Sequence, residues 1–565
     1  MCFFTFLPLC FSPTPLLSTP LSLAHAHSAV LLSLSLSAIP FHCSLEQPPF
    51  RIKRERERER EGGRNERMNR VVSVFVVFAL CVAVFGALPT AASRRGDPAG
   101  FVSRRVERSK AAKEAAPGSD EEDATTARLR SWSLHDTLPG VETLFGLDAT
   151  TTTPPVHEAG YFRLNRTESA EMFYFYFQNR AARADAPVVL WMTGGPGCSS
   201  ELALFYENGP YHINDDLSLS SNPYGWDTIS DLIYVDQPIN TGFSYSNSTA
   251  DEVHSEKLVG EDMLDFIQEL VTKHTNLQGK PFFVTGESYG GHYVPAVSNR
   301  IFTAIQSGEV SKSIINLQGF AVGNGLTEPA IQYGGYADFL YENKLISEES
   351  KDAIDNHAYP RCKFLIERCK ATTKAMCIAA LEECQLTVVS KLSKEANIGV
   401  NGLNVYDIRK KCEYPPLCYD FSLLGKYINQ PSVRAALGVG DREWSSCSAR
   451  VYKDMVGDWM VNIEPLIPPM LENGVRALIY AGDKDFICNW VGNRRWTLAM
   501  PWSGADAYNK AQNQAFVVDG ANAGQFIASG NLAFLQIYEA GHMVPKDQPA
   551  VALTMLQRFL DGGDL

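Results

Sequence analysis

The chain has 565 residues, 45% of them apolar and 11% aromatic, and carries a formal charge of −13 at pH 7. The apolar share supports a large buried core and excludes a disordered polymer. The acidic balance excludes nucleic acid as a natural partner, and the length suits an α/β enzyme with an insertion.

Residues 1–67 read as translated leader: the Leu-Ser repeats at 32–37 and the Arg-Glu alternation at 54–61 are what simple dinucleotide repeats encode. Translation is therefore expected to start at Met68. There, Met68-Asn69-Arg70, an apolar run over 71–88 and the small residues Ala91-Ala92-Ser93 give the three parts of a signal peptide at 68–93. No long basic cluster follows to stop transfer, so no stable membrane anchor is expected. Residues 94–140, rich in Arg, Lys, Glu and Ala, read as a solvated propeptide or linker outside the core.

Compact sequence is expected from Gly160 onward, with an aromatic strand at Met172–Phe177. Five apolar segments then each stop at a turn rich in reactive residues. Val188–Met192 runs into Thr193-Gly194-Gly195-Pro196-Gly197-Cys198, and Leu232–Val235 into Asp236-Gln237-Pro238. Phe282–Thr285 runs into Gly286-Glu287-Ser288-Tyr289-Gly290, Ala477–Ala481 into Gly482-Asp483-Lys484-Asp485, and Phe534–Tyr538 into Glu539-Ala540-Gly541-His542. Separated by helical stretches such as Lys257–His274, they predict an α/β fold with a mostly parallel sheet and its chemistry outside the carboxyl ends of the strands.

The 286–290 turn has the G-x-S-x-G form of a nucleophile elbow, which holds a serine hydroxyl clear of the sheet edge. The fold orders its triad Ser, acid, His. After His357 the chain has a single histidine, so Ser288 takes His542 as base. The acid follows the Ala477–Ala481 strand, where both Asp483 and Asp485 stand; the first position after a strand is often a turn residue, which tilts toward Asp485. An N–H from the Gly194-Gly195 loop, with that of Tyr289, can hold the oxyanion of a tetrahedral intermediate.

Of thirteen cysteines, four (Cys2, Cys10, Cys43, Cys81) precede residue 94, leaving eight to pair and one over, as in an oxidising compartment. Metal-ligand spacing such as C-x₂-C is absent, so neither metal nor cofactor is expected. The sequons at Asn165 and Asn247 fit the secretory route, to the vacuole or the cell exterior.

The segments WMTGGPGCSS, GESYGGHYVP, YAGDKDFICNW and GHMVP together resemble the serine carboxypeptidases related to carboxypeptidase Y, and among them the plant type III enzymes. The likeness runs from about Gly160 to the C-terminus. It implies an α/β-hydrolase domain over 141–325 and 431–565, with a helical cap insertion over 326–430. It makes Asp485 the triad acid beside Ser288 and His542, with Gly195 and Tyr289 as oxyanion donors. Glu207 and Glu287 are implied to share a proton and, with the Gly194 N–H, to grip the substrate's terminal carboxylate in company with Trp191 and Thr193. Two carboxyls that close cannot both ionise cheaply. Trp459, Ile487 and Cys488 match positions lining the acyl-side pocket, and Tyr206 and Met543 the leaving-residue side.

The intervals in Cys362, Cys369, Cys377 and Cys384 are nearly mirror-symmetric and suit two helical arms, although four cysteines permit three pairings. The likeness favours the nested Cys362–Cys384 and Cys369–Cys377. Cys412–Cys418 and Cys198–Cys447 complete the expected set, with Cys488 left over.

The sequence departs from the family pattern at Thr193, where an Asn is usual, and at Asn240, where a Gly is usual. The expected activity is serine-type release of C-terminal amino acids from peptides at acidic pH through an acyl-enzyme, by a monomer or homodimer. The alternatives are an acyltransferase using sugar esters, whose kind carries Asp where Glu287 stands, and a silent secreted scaffold.

Overall fold

In the computed structural model of the protein, the described residues are 129–133, 157–370 and 373–563. The expected leader (1–67) and signal peptide (68–93) lie outside them.

The strands form one eleven-stranded sheet, in the order Leu129–Ser133, His157–Arg163, Glu171–Phe177, Asp231–Val235, Val188–Thr193, Pro281–Glu287, Asn316–Gly323, Arg476–Gly482, Leu532–Ile537, Ala521–Ser529, Gln514–Val518. The six strands from Asp231–Val235 to Leu532–Ile537 run parallel. The outer strands on both sides are antiparallel. Val188–Thr193 and Asp231–Val235 are buried at every position, so they read as unbroken apolar runs rather than alternating ones. The central strand Asn316–Gly323 had no counterpart among the five segments, because Gln318 and Gly319 interrupt its apolar run.

One segment departs from the expected boundary. Leu129–Ser133 lies within the stretch read as linker, yet it pairs antiparallel with His157–Arg163 at the sheet edge. Its five residues alternate apolar and polar save at one step, a weak strand signal among charged neighbours, and the open edge supplies the ladder partners.

Helices Glu256–Lys273 and Gly290–Ser307 cover one face of the sheet, through Met263, Ile267, Val294 and Ile301. Pro549–Asp561 covers the other through Met555, Leu556 and Phe559. A third apolar cluster belongs to the insertion: Phe339, Leu340, Ile366, Leu381, Val388 and Leu392 pack under short helices that begin at Pro329–Gln332. Leu424, Tyr427 and Ile428 pack with the sheet instead, so the insertion's core ends near Cys418, before residue 430.

Disulfides join Cys362 to Cys384 and Cys369 to Cys377 across helices Tyr359–Ile366 and Lys374–Cys384. Cys412 is joined to Cys418, and Cys198 to Cys447 across 249 residues of sequence. Cys488 stands outside all four bridges. At Asn240 the backbone is left-handed, φ 75°, a conformation Asn tolerates, so the turn is kept without glycine. No helix among the described residues is long and apolar enough to cross a membrane.

Candidate active site

Strand Pro281–Glu287 passes into helix Gly290–Ser307 through Ser288, which holds φ 66°. A serine in the left-handed region is strained, and surrounding contacts impose it. Ser288 N–H donates to Gly323 O at 3.1 Å, and Ser288 O accepts from Leu326 N at 3.0 Å. A side chain at Gly286 would overlap Met192 O, which explains the glycine before the nucleophile.

The base–acid pair is made: His542 Nδ1 lies 2.7 Å from Asp485 Oδ2. The imidazole's other nitrogen, Nε2, then faces the nucleophile strand, 4.0 Å from Glu287 Oε1. Asp485 is fully buried and accepts from Asn324 Nδ2 at 2.8 Å, Ile487 N at 3.0 Å and Cys488 N at 3.3 Å as well. Asp483 instead takes Lys484 Nζ at 2.9 Å, so of the two aspartates Asp485 is the one in contact with His542. His292, a second histidine near the nucleophile, is held neutral: burial lowers it to about 4, and its Nδ1 lies 2.6 Å from Leu326 O.

The glycine loop abuts the elbow. A Cβ on Gly194 would overlap Tyr289 N and lie 2.8 Å from Ser288 Cβ. No backbone carbonyl among the described residues accepts from Gly195 N or Tyr289 N, so both amides are available to an oxyanion.

Glu207 and Glu287 are 2% and 3% exposed. Both Glu207 oxygens and Glu287 Oε2 are without a hydrogen-bond partner among the described residues, and each carboxyl lies close enough to shift the other's titration. Two ionised carboxylates cannot hydrogen-bond each other, so their closeness favours a proton on one of them. Burial pushes Glu207 up to about 7, against the lowering effect of its bond to Glu287. Burial, then the Glu207 charge and hydrogen bond, raise Glu287 well above the usual range.

Trp191 is fully buried and donates from its indole N–H to Thr193 Oγ1 at 2.9 Å, so it stands behind Thr193 rather than at the cleft. The Thr193 hydroxyl keeps its own proton to donate. Trp459 packs against Tyr289 at 5.3 Å between ring centroids, and Ile487 and Cys488 stand two and three residues past Asp485. On the other side, Lys546 Nζ lies 4.7 Å from the centre of the Tyr206 ring, and Met543 follows His542. Asp485, Cys488 and His542 place ligand-type atoms within 4.8 Å of one another, but four donors already occupy the Asp485 oxygens, leaving it a poor metal ligand. Asn165 and Asn247 are both exposed.

The sequence reading missed Asn324. It ends the strand Asn316–Gly323, donates to Asp485 and accepts from Gly482 N at 3.1 Å, tying the acid to its own strand. The signal was present: an Asn between two glycines after an apolar run, at the carboxyl end of a strand beside the nucleophile's.

The family model described as serine carboxypeptidase matches residues 148–562. The chain belongs to the serine carboxypeptidase family. It is 46% identical over 503 residues to serine carboxypeptidase 3 of Hordeum vulgare, covering 87% of this chain and 95% of that one. It is 37% identical over 406 residues to carboxypeptidase Y homolog A of Pyrenophora tritici-repentis, covering 70% and 72%. Among solved structures it is similar to Kex1(delta)p, a prohormone-processing carboxypeptidase from Saccharomyces cerevisiae. That match has a TM-score of 0.67 and 25% identity, and covers 79% of this chain and 97% of that one.

Proposed function

We propose that this serine carboxypeptidase family member removes single C-terminal amino acids from peptides at acidic pH, through an acyl-enzyme on Ser288. The observation that carries the reading is the buried Glu207–Glu287 pair, which adjoins the nucleophile and needs a proton. A protonated carboxyl can donate to an anion, so the pair, with Thr193 and the Gly194 N–H, selects a substrate ending in a free carboxylate. A serine hydrolase of internal bonds has no use for such a group.

The side chains at the site support the following chemistry. Ser288 Oγ attacks the last peptide carbonyl while His542 Nε2 takes its proton, and Asp485 holds the imidazole through Nδ1. The N–H groups of Gly195 and Tyr289 take the developing oxyanion. The imidazolium then protonates the departing amine, and water activated by His542 hydrolyses the acyl-enzyme to free the shortened peptide.

Incubating the processed protein with a blocked dipeptide at pH 5 and scoring the freed C-terminal amino acid tests the reading. Transfer from a sugar ester to an alcohol without peptide hydrolysis would establish the acyltransferase instead. Four disulfides and two exposed sequons support passage through the secretory pathway to the vacuole or cell exterior.

A further inference from the structure

The insertion is tied into the triad by one short segment. From the turn after strand Leu403–Asn404 into the start of strand Asp407–Lys411, the chain from Val405 to Ile408 runs between the loop bearing Asp485 and the loop bearing His542. Towards the acid, Val405 O accepts from Phe486 N at 3.3 Å and Ile487 N at 3.2 Å, and Ile408 N donates to Lys484 O at 3.0 Å. Towards the base, Tyr406 O accepts from His542 N at 2.8 Å, and the Tyr406 ring packs 5.0 Å from the imidazole. A Cβ on Gly541 would lie 2.5 Å from Tyr406 O, so the two backbones meet with no room for a side chain.

A charge cluster fixes this contact from outside. Asp407, fully buried, takes Arg409 Nε and Nη2 at 2.8 Å each, and Lys410 Nζ at 2.9 Å. Arg409 also donates from Nη1 to Glu539 O at 2.7 Å and places Nη2 3.5 Å from Asp547 Oδ2. Asp547 takes Lys410 Nζ at 2.9 Å and accepts from Gly541 N, the residue before His542, at 2.7 Å. One arginine thus joins the insertion's buried aspartate to both ends of the loop that carries the base.

We propose that Arg409, with Asp407 and Asp547, is a positioning group for His542, so that the insertion sets the alignment of base and acid as well as covering the site. The inference rests on the assignment of Ser288, His542 and Asp485 as the triad. None of the three positioning residues touches substrate. Their effect belongs to the turnover rate, because the carboxylate site at Glu207 and Glu287 is built on other elements.

The test compares Arg409→Ala, Arg409→Lys and Asp547→Asn with the parent enzyme, with kcat expressed per titrated active site. Arg409→Ala should lower kcat at least tenfold with KM changed less than twofold, on peptides and amide-capped substrates alike. Fluorophosphonate labelling of Ser288 should slow in the same proportion, and Arg409→Lys should recover part of both. Lys351→Ala, which breaks an ion pair to Asp338 and Asp355 inside the insertion, should change neither. If Arg409→Ala does not fold, Asp547→Asn carries the test, because its amide oxygen still accepts from Gly541 N while its charge is gone. A folded variant with kcat and labelling rate within twofold of the parent overturns the proposal, as does a loss confined to KM. The labelling arm reads the triad on any substrate, so a parent enzyme that labels but frees no amino acid refutes the carboxypeptidase reading without touching this one.

Discussion

Raising the pH past the upper titration of the Glu207–Glu287 pair should increase KM for a peptide with a free terminal carboxylate about tenfold per unit, while an amide-capped analogue changes little. Burial pushes Glu207 up to about 7, and burial with the Glu207 charge raises Glu287 further. These are raised carboxyls: Glu207 ionises first, and Glu287, raised further, keeps the shared proton until the pH passes its own higher value. At one unit above that value about one site in eleven still holds the donor proton. The remainder present carboxylates to the substrate's own anion. A hydrogen bond to a charged group contributes about 1.5–3 kcal/mol, which caps the whole effect at roughly 10–150-fold. Initial rates of a blocked dipeptide and its amide, taken from pH 4.5 to 8.5, measure it. Glu287→Gln keeps a donor but cannot lose it, so the rise in KM for the free acid should flatten. Matching profiles for the two substrates would refute the carboxyl-pair argument.

Ser288→Ala should abolish turnover beyond the residual rate of the oxyanion hole, and a fluorophosphonate should label Ser288 alone by peptide mapping. Asn324→Ala removes one donor from buried Asp485 and should cut kcat roughly 10–100-fold with little change in KM, in the same steady-state assay. Thermal unfolding should occur at lower temperature at pH 8 than at pH 5. Glu207, Asp262 and Glu328 are all raised by burial to about 7, so the folded chain holds protons that the unfolded one releases, and stability falls as pH rises from about 4.5 to 7. A bulky mercurial should inhibit through Cys488, three residues past Asp485, and Cys488→Ser should abolish that inhibition while leaving the triad reactive to fluorophosphonate.

Much of this was legible because buried parallel strands write themselves as apolar runs, and four of the five runs, all but Leu232–Val235, end beside a residue proposed for the site. The segments at Val188, Leu232, Phe282, Ala477 and Phe534 all lie in central strands. What stayed hidden depends on contacts between distant parts of the chain. That His542 meets Asp485 and not Asp483 depends on a loop that turns one carboxylate inward and gives the other to Lys484. Asn324 is polar and flanked by glycines, so in sequence it looks like a turn. Tyr406 carries no chemical signal at all, since it acts through its backbone oxygen and the face of its ring. Leu129–Ser133 is a strand only because an edge accepts it.

The bridge from Cys198 to Cys447 closes a covalent ring that contains the nucleophile and the whole insertion. Any single proteolytic cut between those two cysteines therefore opens the ring without separating the pieces. Even removal of a stretch between Cys384 and Leu403 leaves Ser288 on one chain and His542 on the other, still linked through Cys198–Cys447. The nested pair Cys362–Cys384 and Cys369–Cys377 repeats the arrangement on a smaller scale, holding the two helical arms together if the turn between them is cut. Maturation by trimming inside the insertion is thus compatible with an intact triad, and its signature is one band on a non-reducing gel that becomes two after reduction.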